Sequence, residues 1–316
     1  MSVTQKSWLT ELFPFLVWAR SYSGNDFQAD LIAGVVVVFI TIPQVIAYAY
    51  LAGLPAEYGL YAAIMSLAGY AAFGSCRTLA VGPAAILAMM TLEAISDQAQ
   101  PGSAAYVALA TKLTLVTGGL LIILRIINFG AVISFLSHSV VTGFIAASAI
   151  LIIANQIPSI LGISQSPGTA VDVVVPHIFT HLDSINLVVL GIAAGAMLLL
   201  WFCRHQLEGI LLRTGLSARL VTNLVKSAPM YAVILSVLCV WWLSLADTRS
   251  VAVVGPIPDA WPALGMMTLT LTELQRLLPS ALLIAMVIFM ESTSIGSAVA
   301  SKSRQKIEPN QELVGL

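Results

Sequence analysis

Residues 31–52 read LIAGVVVVFITIPQVIAYAYLA and contain no charged side chain. A transmembrane helix needs about 20 consecutive, mostly apolar residues, so this stretch is long enough to cross a bilayer. Pro43 lies in its interior, where a proline removes one backbone hydrogen bond and crowds the preceding turn. The stretch therefore predicts a first membrane span with an irregular point near its middle.

The composition extends this interpretation to the rest of the chain. Of 316 residues, 59% are hydrophobic and 9% are charged, and the mean hydropathy is +0.94. Soluble domains typically carry about 25% charged residues, so we expect membrane lipid as a partner. The net charge of -1 argues against nucleic acid, which binds basic surfaces. Cys76, Cys203 and Cys239 lack metal-binding or redox spacing, and we predict no metal site and no cofactor.

Eight apolar stretches are candidate membrane spans. The third is short and begins beside Gly82 and Pro83, and an interfacial segment with aromatic side chains precedes the first. The predicted spans are residues 31–52, 58–74, 81–95, 104–124, 131–153, 185–203, 228–246 and 277–299.

The basic residues predict the orientation of these spans. If the N-terminus is cytoplasmic, eleven of the 14 Lys and Arg residues lie on the cytoplasmic side. Arg249 and Arg276 lie outside, and Lys112 lies within the fourth span. Membrane proteins concentrate Lys and Arg in cytoplasmic loops, so this segregation favours a cytoplasmic N-terminus.

Polar groups occupy the middle of the first span. Thr41, Gln44 and Tyr48 have i, i+3 and i+7 spacing, so a helix places them on one face. A glutamine near the bilayer midplane can hydrogen-bond a neighbouring helix or line a substrate cavity. The residues alone leave both interpretations open.

Gly82, Pro83 and Ala84 precede the apolar run of the third span. Proline is favoured in the first turn of a helix, so a helix is expected to begin here. If that start lies at the midplane, its unpaired N–H groups and positive dipole end attract anions. Broken helices of secondary transporters bind anionic groups in this way. An ordinary loop–helix junction is the alternative.

Glu291 follows an uncharged run that begins at Leu277. An ionisable residue at membrane depth is costly and suggests a function, here the binding of a coupling ion, H+ or Na+. The alternative is a fixed salt bridge, for which Lys112 is the only basic residue in another span. Lys112 could instead extend towards the outer interface, with Glu93 as its partner. No catalytic motif was found, so we do not expect an enzyme.

With these motifs the chain resembles the sulfate permease (SulP) family of anion transporters. The resemblance covers nearly the whole sequence. It is carried by Asp30-Leu-Ile-Ala-Gly34, Ile42-Pro-Gln44, Leu51-Ala-Gly-Leu-Pro55, Gly59-Leu-Tyr-Ala62, Phe73-Gly-Ser-Cys-Arg77, Val81-Gly-Pro83, Phe135-Leu-Ser-His-Ser-Val-Val-Thr-Gly-Phe144, Val253-Val-Gly-Pro-Ile-Pro258, Leu278-Pro-Ser280, Glu291-Ser292 and Asn310-Gln-Glu-Leu313.

The resemblance implies an all-α integral membrane fold of two inverted repeats of seven spans each. This chain would supply the first repeat and the start of the second. Substrate would lie between the third and tenth half-helices, with Gln44 and Tyr48 facing it and Glu291 beside it. Gly82, Pro83 and Ala84 would begin the third half-helix. Residues 1–29 would be a cytoplasmic or interfacial segment, and residues 30–316 the transporter domain.

The expected function is secondary-active transport of a small inorganic anion, with sulfate first, across the inner membrane, coupled to protons or sodium. Bicarbonate or dicarboxylate transport within the same family, an anion channel and a non-transporting truncated membrane protein are the alternatives. The sequence ends before the tenth half-helix and the family's C-terminal STAS domain, so we expect a fragment or a truncated product. Homodimerisation stays open.

Overall fold

The computed structural model describes residues 13–130, 138–164, 166, 168–213, 218–248, 251–255, 268–303 and 308–316. Within these ranges the chain is helical, and no strand occurs. The main helices, in chain order, are Gly24–Leu51 (α1), Ala56–Phe73 (α2), Ala85–Ile95 (α3), Ala104–Ile126 (α4), His138–Leu161 (α5), Val171–Thr180 (α6), Leu187–Phe202 (α7), Glu208–Arg213 (α8), Ala218–Lys226 (α9), Ala228–Trp242 (α10), Leu271–Ser303 (α11) and Pro309–Gly315 (α12).

Each of the eight predicted spans overlaps one of these helices, although residues 131–137 of the fifth lie outside the described ranges. Four helices are long and apolar enough to cross a bilayer: Gly24–Leu51, Ala104–Ile126, Leu187–Arg213 and Leu271–Ser297. Helices α3 and α10 are apolar but shorter. Large apolar side chains cover the outer faces, among them Leu198 and Trp242, as expected when lipid is the solvent.

The chain forms two compact units. The first comprises Met1–Gly24, Val45–Ala149 and Pro258–Leu316. Within it, α4 packs along α11, and α3 joins them around one buried cluster: Ile95, Tyr106, Ala110, Leu113, Val116, Leu277, Ala281 and Ile284. Small residues such as Ala281 and Ala285, both fully buried, let the helix backbones approach closely.

The second unit comprises Asn25–Gln44 and Ile150–Ile257. In this unit α7 packs against α10, and both helices expose large apolar side chains, among them Trp201 and Trp241. Helix α5 ends at Leu161, where Gly162 has φ +68 and the Ile163 N–H donates back to the Pro158 carbonyl oxygen. A glycine in the left-handed region is the usual residue just beyond a helix C-terminus.

Two interhelical turns meet at one end of the first unit. The Tyr106 hydroxyl donates to the Ala52 carbonyl oxygen at 2.6 Å, and the Gly102 N–H donates to the Gly53 carbonyl oxygen at 2.8 Å. The C-terminal ends of α1 and α3 therefore lie at the same level as the N-terminal ends of α2 and α4. This common level provides a reference for the depth of the candidate site.

Candidate functional site at the start of the third helix

The third helix is preceded by an extended segment and begins without a side-chain cap. No helix occurs from Gly74 to Ala84, and Ala84 has φ -125 and ψ 147. The first intrahelical bond runs from the Ala88 N–H to the Ala84 carbonyl oxygen at 3.0 Å. The N–H groups of Ala85, Ile86 and Leu87 therefore have no acceptor within the helix.

A hydrogen bond from α2 fixes the depth of this helix start. The Ser66 hydroxyl donates to the Val81 carbonyl oxygen at 3.2 Å. At 1.5 Å per residue, Ser66 lies about 15 Å along α2, whose 18 residues span about 27 Å. Helix α3 has 11 residues and is about 16 Å long, roughly half the thickness of a bilayer's hydrocarbon core. Both lengths place the start of α3 near mid-depth.

A helix start at this depth can bind an anion. The unpaired N–H groups and the aligned peptide dipoles create a partial positive charge. Gly82 is exposed and carries no side chain, while Pro83 and Ala84 are half-buried. Small residues here leave room for a ligand to approach the backbone. The structure thus brings Gly82, Pro83 and Ala84 together at one uncapped end.

The polar residues of the first span lie on one continuous helix. Helix α1 runs unbroken from Gly24 to Leu51 with Pro43 inside it. Thr41 and Tyr48 are half-buried, and Gln44 is exposed. Thr41 and Gln44 belong to the second unit and Tyr48 to the first. Their contact with an anion stays a prediction.

Glu291 lies within α11 and is half-buried. No described residue forms a hydrogen bond or an ion pair with its carboxylate. Its neighbour Ser292 is buried and donates to the carboxylate of Glu312, and Thr293 donates to the Phe289 carbonyl oxygen within its own helix. A carboxylate without a partner among the described residues fits the coupling-ion hypothesis, which stays a prediction.

Lys112 has a different partner from those that the sequence suggested. Its ammonium group lies 2.5 Å from the Glu273 carboxylate, with side chains 17% and 30% exposed. Glu273 also accepts from the N–H and hydroxyl of Thr270, and its own N–H donates to that hydroxyl, which forms a capping box at the start of α11. Glu93 and Glu291 were therefore the wrong partners, because the packing of α4 along α11 places the first turn of α11 beside Lys112.

Glu312 is the residue that the sequence interpretation missed. Its side chain is fully buried, and it accepts hydrogen bonds from Tyr70, Ser75 and Ser292. In the sequence it stands out only as part of the Asn310-Gln-Glu-Leu313 motif. Three consecutive polar residues at the start of an apolar run could have marked it, since a charge there needs partners. Among the described residues, no group of three or more potential metal ligands occurs.

The profile of the sulfate permease family matches residues 27–316, and the chain belongs to that family. An Arabidopsis thaliana relative, "Sulfate transporter 4.1, chloroplastic", is 32% identical over 310 residues, which cover 98% of this chain and 44% of the relative. A Mycobacterium tuberculosis relative, "Probable sulfate transporter MT1781", is 30% identical over 306 residues, covering 95% of this chain and 50% of the relative. The chain thus spans about half the length of these relatives.

Two solved structures share the fold. The structure of SLC26A9 superposes with a TM-score of 0.82 at 22% sequence identity. The superposition covers 98% of this chain and 50% of the SLC26A9 chain. The transmembrane domain of BicA, a cyanobacterial bicarbonate transporter, superposes with a TM-score of 0.73 at 20% sequence identity. This superposition covers 93% of this chain and 71% of the BicA chain. The predicted fold class is confirmed: this is an all-α, multi-pass membrane protein with the first repeat and the beginning of the second of a 7+7 inverted-repeat fold.

Proposed function

We propose that this chain forms part of a secondary-active transporter that moves a small inorganic anion, with sulfate the leading substrate, across the inner membrane. The uncapped start of α3 near mid-depth carries this proposal, because it presents free N–H donors where an anion would otherwise meet only apolar groups. Membership in the sulfate permease family supports the substrate class. Transport of the anion requires no enzymatic step, so we propose no catalytic residue.

The binding residues follow from the helix start and the family resemblance. Gly82, Pro83 and Ala84 would present the backbone donors, and Thr41, Gln44 and Tyr48 would contribute polar side chains. Glu291 would bind the coupling ion, H+ or Na+, because an unneutralised carboxylate near the site would repel the anion. The distribution of Lys and Arg supports a cytoplasmic N-terminus. The family match over residues 27–316 supports residues 1–29 as an N-terminal segment and residues 30–316 as the transporter domain.

Uptake into proteoliposomes tests this function. The protein expressed from the complete reading frame that contains these residues would be offered radiolabelled sulfate, bicarbonate and a dicarboxylate in turn, under a proton or a sodium gradient. We expect saturable sulfate uptake that exceeds equilibrium, with weaker uptake of bicarbonate and of the dicarboxylate. Preferred bicarbonate uptake would assign the BicA-like substrate, uptake that never exceeds equilibrium would indicate a channel, and no uptake of any anion would contradict the proposal.

A further inference from the structure

Glu312 connects three separate parts of the first unit through one fully buried carboxylate. One oxygen, Oε2, accepts from the Tyr70 hydroxyl of α2 at 2.8 Å and from the Ser292 hydroxyl of α11 at 3.3 Å. The other oxygen, Oε1, accepts from both the N–H and the hydroxyl of Ser75, at 3.0 and 2.5 Å. Each oxygen thus has two donors, and no described basic residue forms an ion pair with the carboxylate.

Ser75 lies at the beginning of the extended segment that leads to α3. Between the Gly74 N–H, which donates to the Tyr70 carbonyl oxygen, and the Ala84 carbonyl oxygen, which accepts from the Ala88 N–H, residues 75–83 make no backbone–backbone hydrogen bond with a described residue. Side chains from outside hold its backbone near both ends: Glu312 accepts from the Ser75 N–H, and the Ser66 hydroxyl donates to the Val81 carbonyl oxygen. The position of the helix start therefore depends on these anchors, because an extended segment without a ladder has no rigidity of its own.

The residues around Glu312 strengthen the same connection. The Gln311 amide donates to the Phe73 carbonyl oxygen at 2.7 Å, and the Asn310 side-chain oxygen accepts from the Gly130 N–H at 2.9 Å. At Gly315, an added Cβ would lie 2.8 Å from the Cα of Gly74, so the two backbones are in close contact. Helix α12 thus lies directly against the end of α2 and the beginning of the extended segment.

We propose that Glu312 is a positioning residue: its carboxylate fixes Gly74–Ala84 and thereby sets the start of α3 at the depth where the anion binds. The expected effect on anion binding rests on the proposed function, whereas the anchoring of Gly74–Ala84 by Glu312 does not. The carboxylate is suited to this role because it accepts several hydrogen bonds at once, and bonds to an ionised acceptor are about twice as strong as neutral ones. Its removal would leave buried donors on Ser75 and Tyr70 without an acceptor.

Amide hydrogen exchange tests the anchoring without reference to any substrate. We expect Glu312→Ala to raise exchange about tenfold in peptides from Gly74–Ala84, while peptides from Ala104–Ile126 stay unchanged. Exchange in Glu312→Gln should fall between that of the unmodified protein and that of Glu312→Ala. The glutamine keeps one acceptor oxygen, and the neighbouring hydroxyls can turn to accept from its amide. Glu93→Gln is the matched control, because it removes an exposed carboxylate from α3 itself. Unchanged exchange at Gly74–Ala84, or faster exchange spread equally over both regions, would overturn the proposal.

Sulfate affinity of the same folded proteins tests the consequence. Glu312→Ala should weaken sulfate binding about tenfold, with Glu312→Gln intermediate and Glu93→Gln unchanged. Equal affinity in Glu312→Ala, despite faster local exchange, would show that the segment does not set the anion site and would overturn the proposal. If the unmodified protein binds no anion, the proposed function fails, and the exchange result still decides whether Glu312 anchors the segment.

Discussion

The Ser66 hydroxyl of α2 donates to the Val81 carbonyl oxygen at a point about 15 Å from the start of α2. This bond joins residues 15 positions apart and ties an extended segment to the middle of a membrane helix. It places the start of α3 about halfway along α2, where a backbone N–H donor without an acceptor can serve an anion. An anion site near mid-depth is the central claim that follows.

Replacement of Gln44 by leucine tests the role of α1. If its amide donates to the anion, Gln44→Leu should weaken sulfate affinity about tenfold or more, since a hydrogen bond to a charged group contributes roughly 1.5–3 kcal/mol. Equilibrium binding to the purified protein would measure the effect. Gln98→Leu, at an exposed turn glutamine, is the control. Unchanged affinity with poor yield of folded protein would favour the helix-packing role instead.

Glu291→Gln tests coupling. This change removes the charge that a proton or sodium ion would neutralise but keeps the size of the side chain. We expect sulfate binding to persist while the dependence of uptake on the proton or sodium gradient disappears. Gradient-driven accumulation equal to that of the unmodified protein would contradict the coupling role.

The Lys112–Glu273 pair predicts a modest effect on stability alone. Partly exposed ion pairs typically contribute about 0.2–1 kcal/mol, so Lys112→Met should lower the midpoint of thermal unfolding slightly. Sulfate uptake and its gradient dependence should not change. A double-mutant cycle with Glu273→Gln would measure the coupling between the two residues. If Lys112→Met instead restored the folding of Glu291→Gln, Lys112 would be paired functionally with Glu291.

The eight predicted spans were recognisable because each contains a mostly apolar run, which in a bilayer must satisfy its own backbone hydrogen bonds. The short third helix was likewise signalled by Gly82 and Pro83, and its start lies at Ala84–Ala85. Local patterns of this kind depend only on neighbouring residues.

Tertiary partners could not be predicted in the same way. Lys112 and Glu273 are 161 positions apart, and Tyr70 and Glu312 are 242 apart. No local periodicity specifies which buried donor meets which carboxylate across such distances. Glu291 was suggested as a partner because Lys112 is the only basic residue within another predicted span, whereas the observed partner is Glu273, which the capping box at Thr270 orients.

Cysteine labelling tests the orientation. The segregation of basic residues predicts that position 226 is cytoplasmic and position 249 is on the opposite side. A membrane-impermeant thiol reagent added from outside should therefore modify Arg249→Cys but not Lys226→Cys in intact cells. The native cysteines would first be replaced by serine to remove background. The reverse pattern would contradict the assignment of spans.

Substitution of Ala84 tests the central claim most directly. Aspartate is a favoured N-cap residue, so the free N–H groups and the helix dipole offset part of the cost of a charge at membrane depth, and Ala84→Asp places a fixed negative charge at the proposed anion site. Ala84→Asn has nearly the same shape and capping ability without the charge. Sulfate affinity should be measured for both folded variants. We expect Ala84→Asp to abolish sulfate binding and Ala84→Asn to retain it within about threefold, whereas equal affinity in the two variants would contradict an anion site at the start of α3.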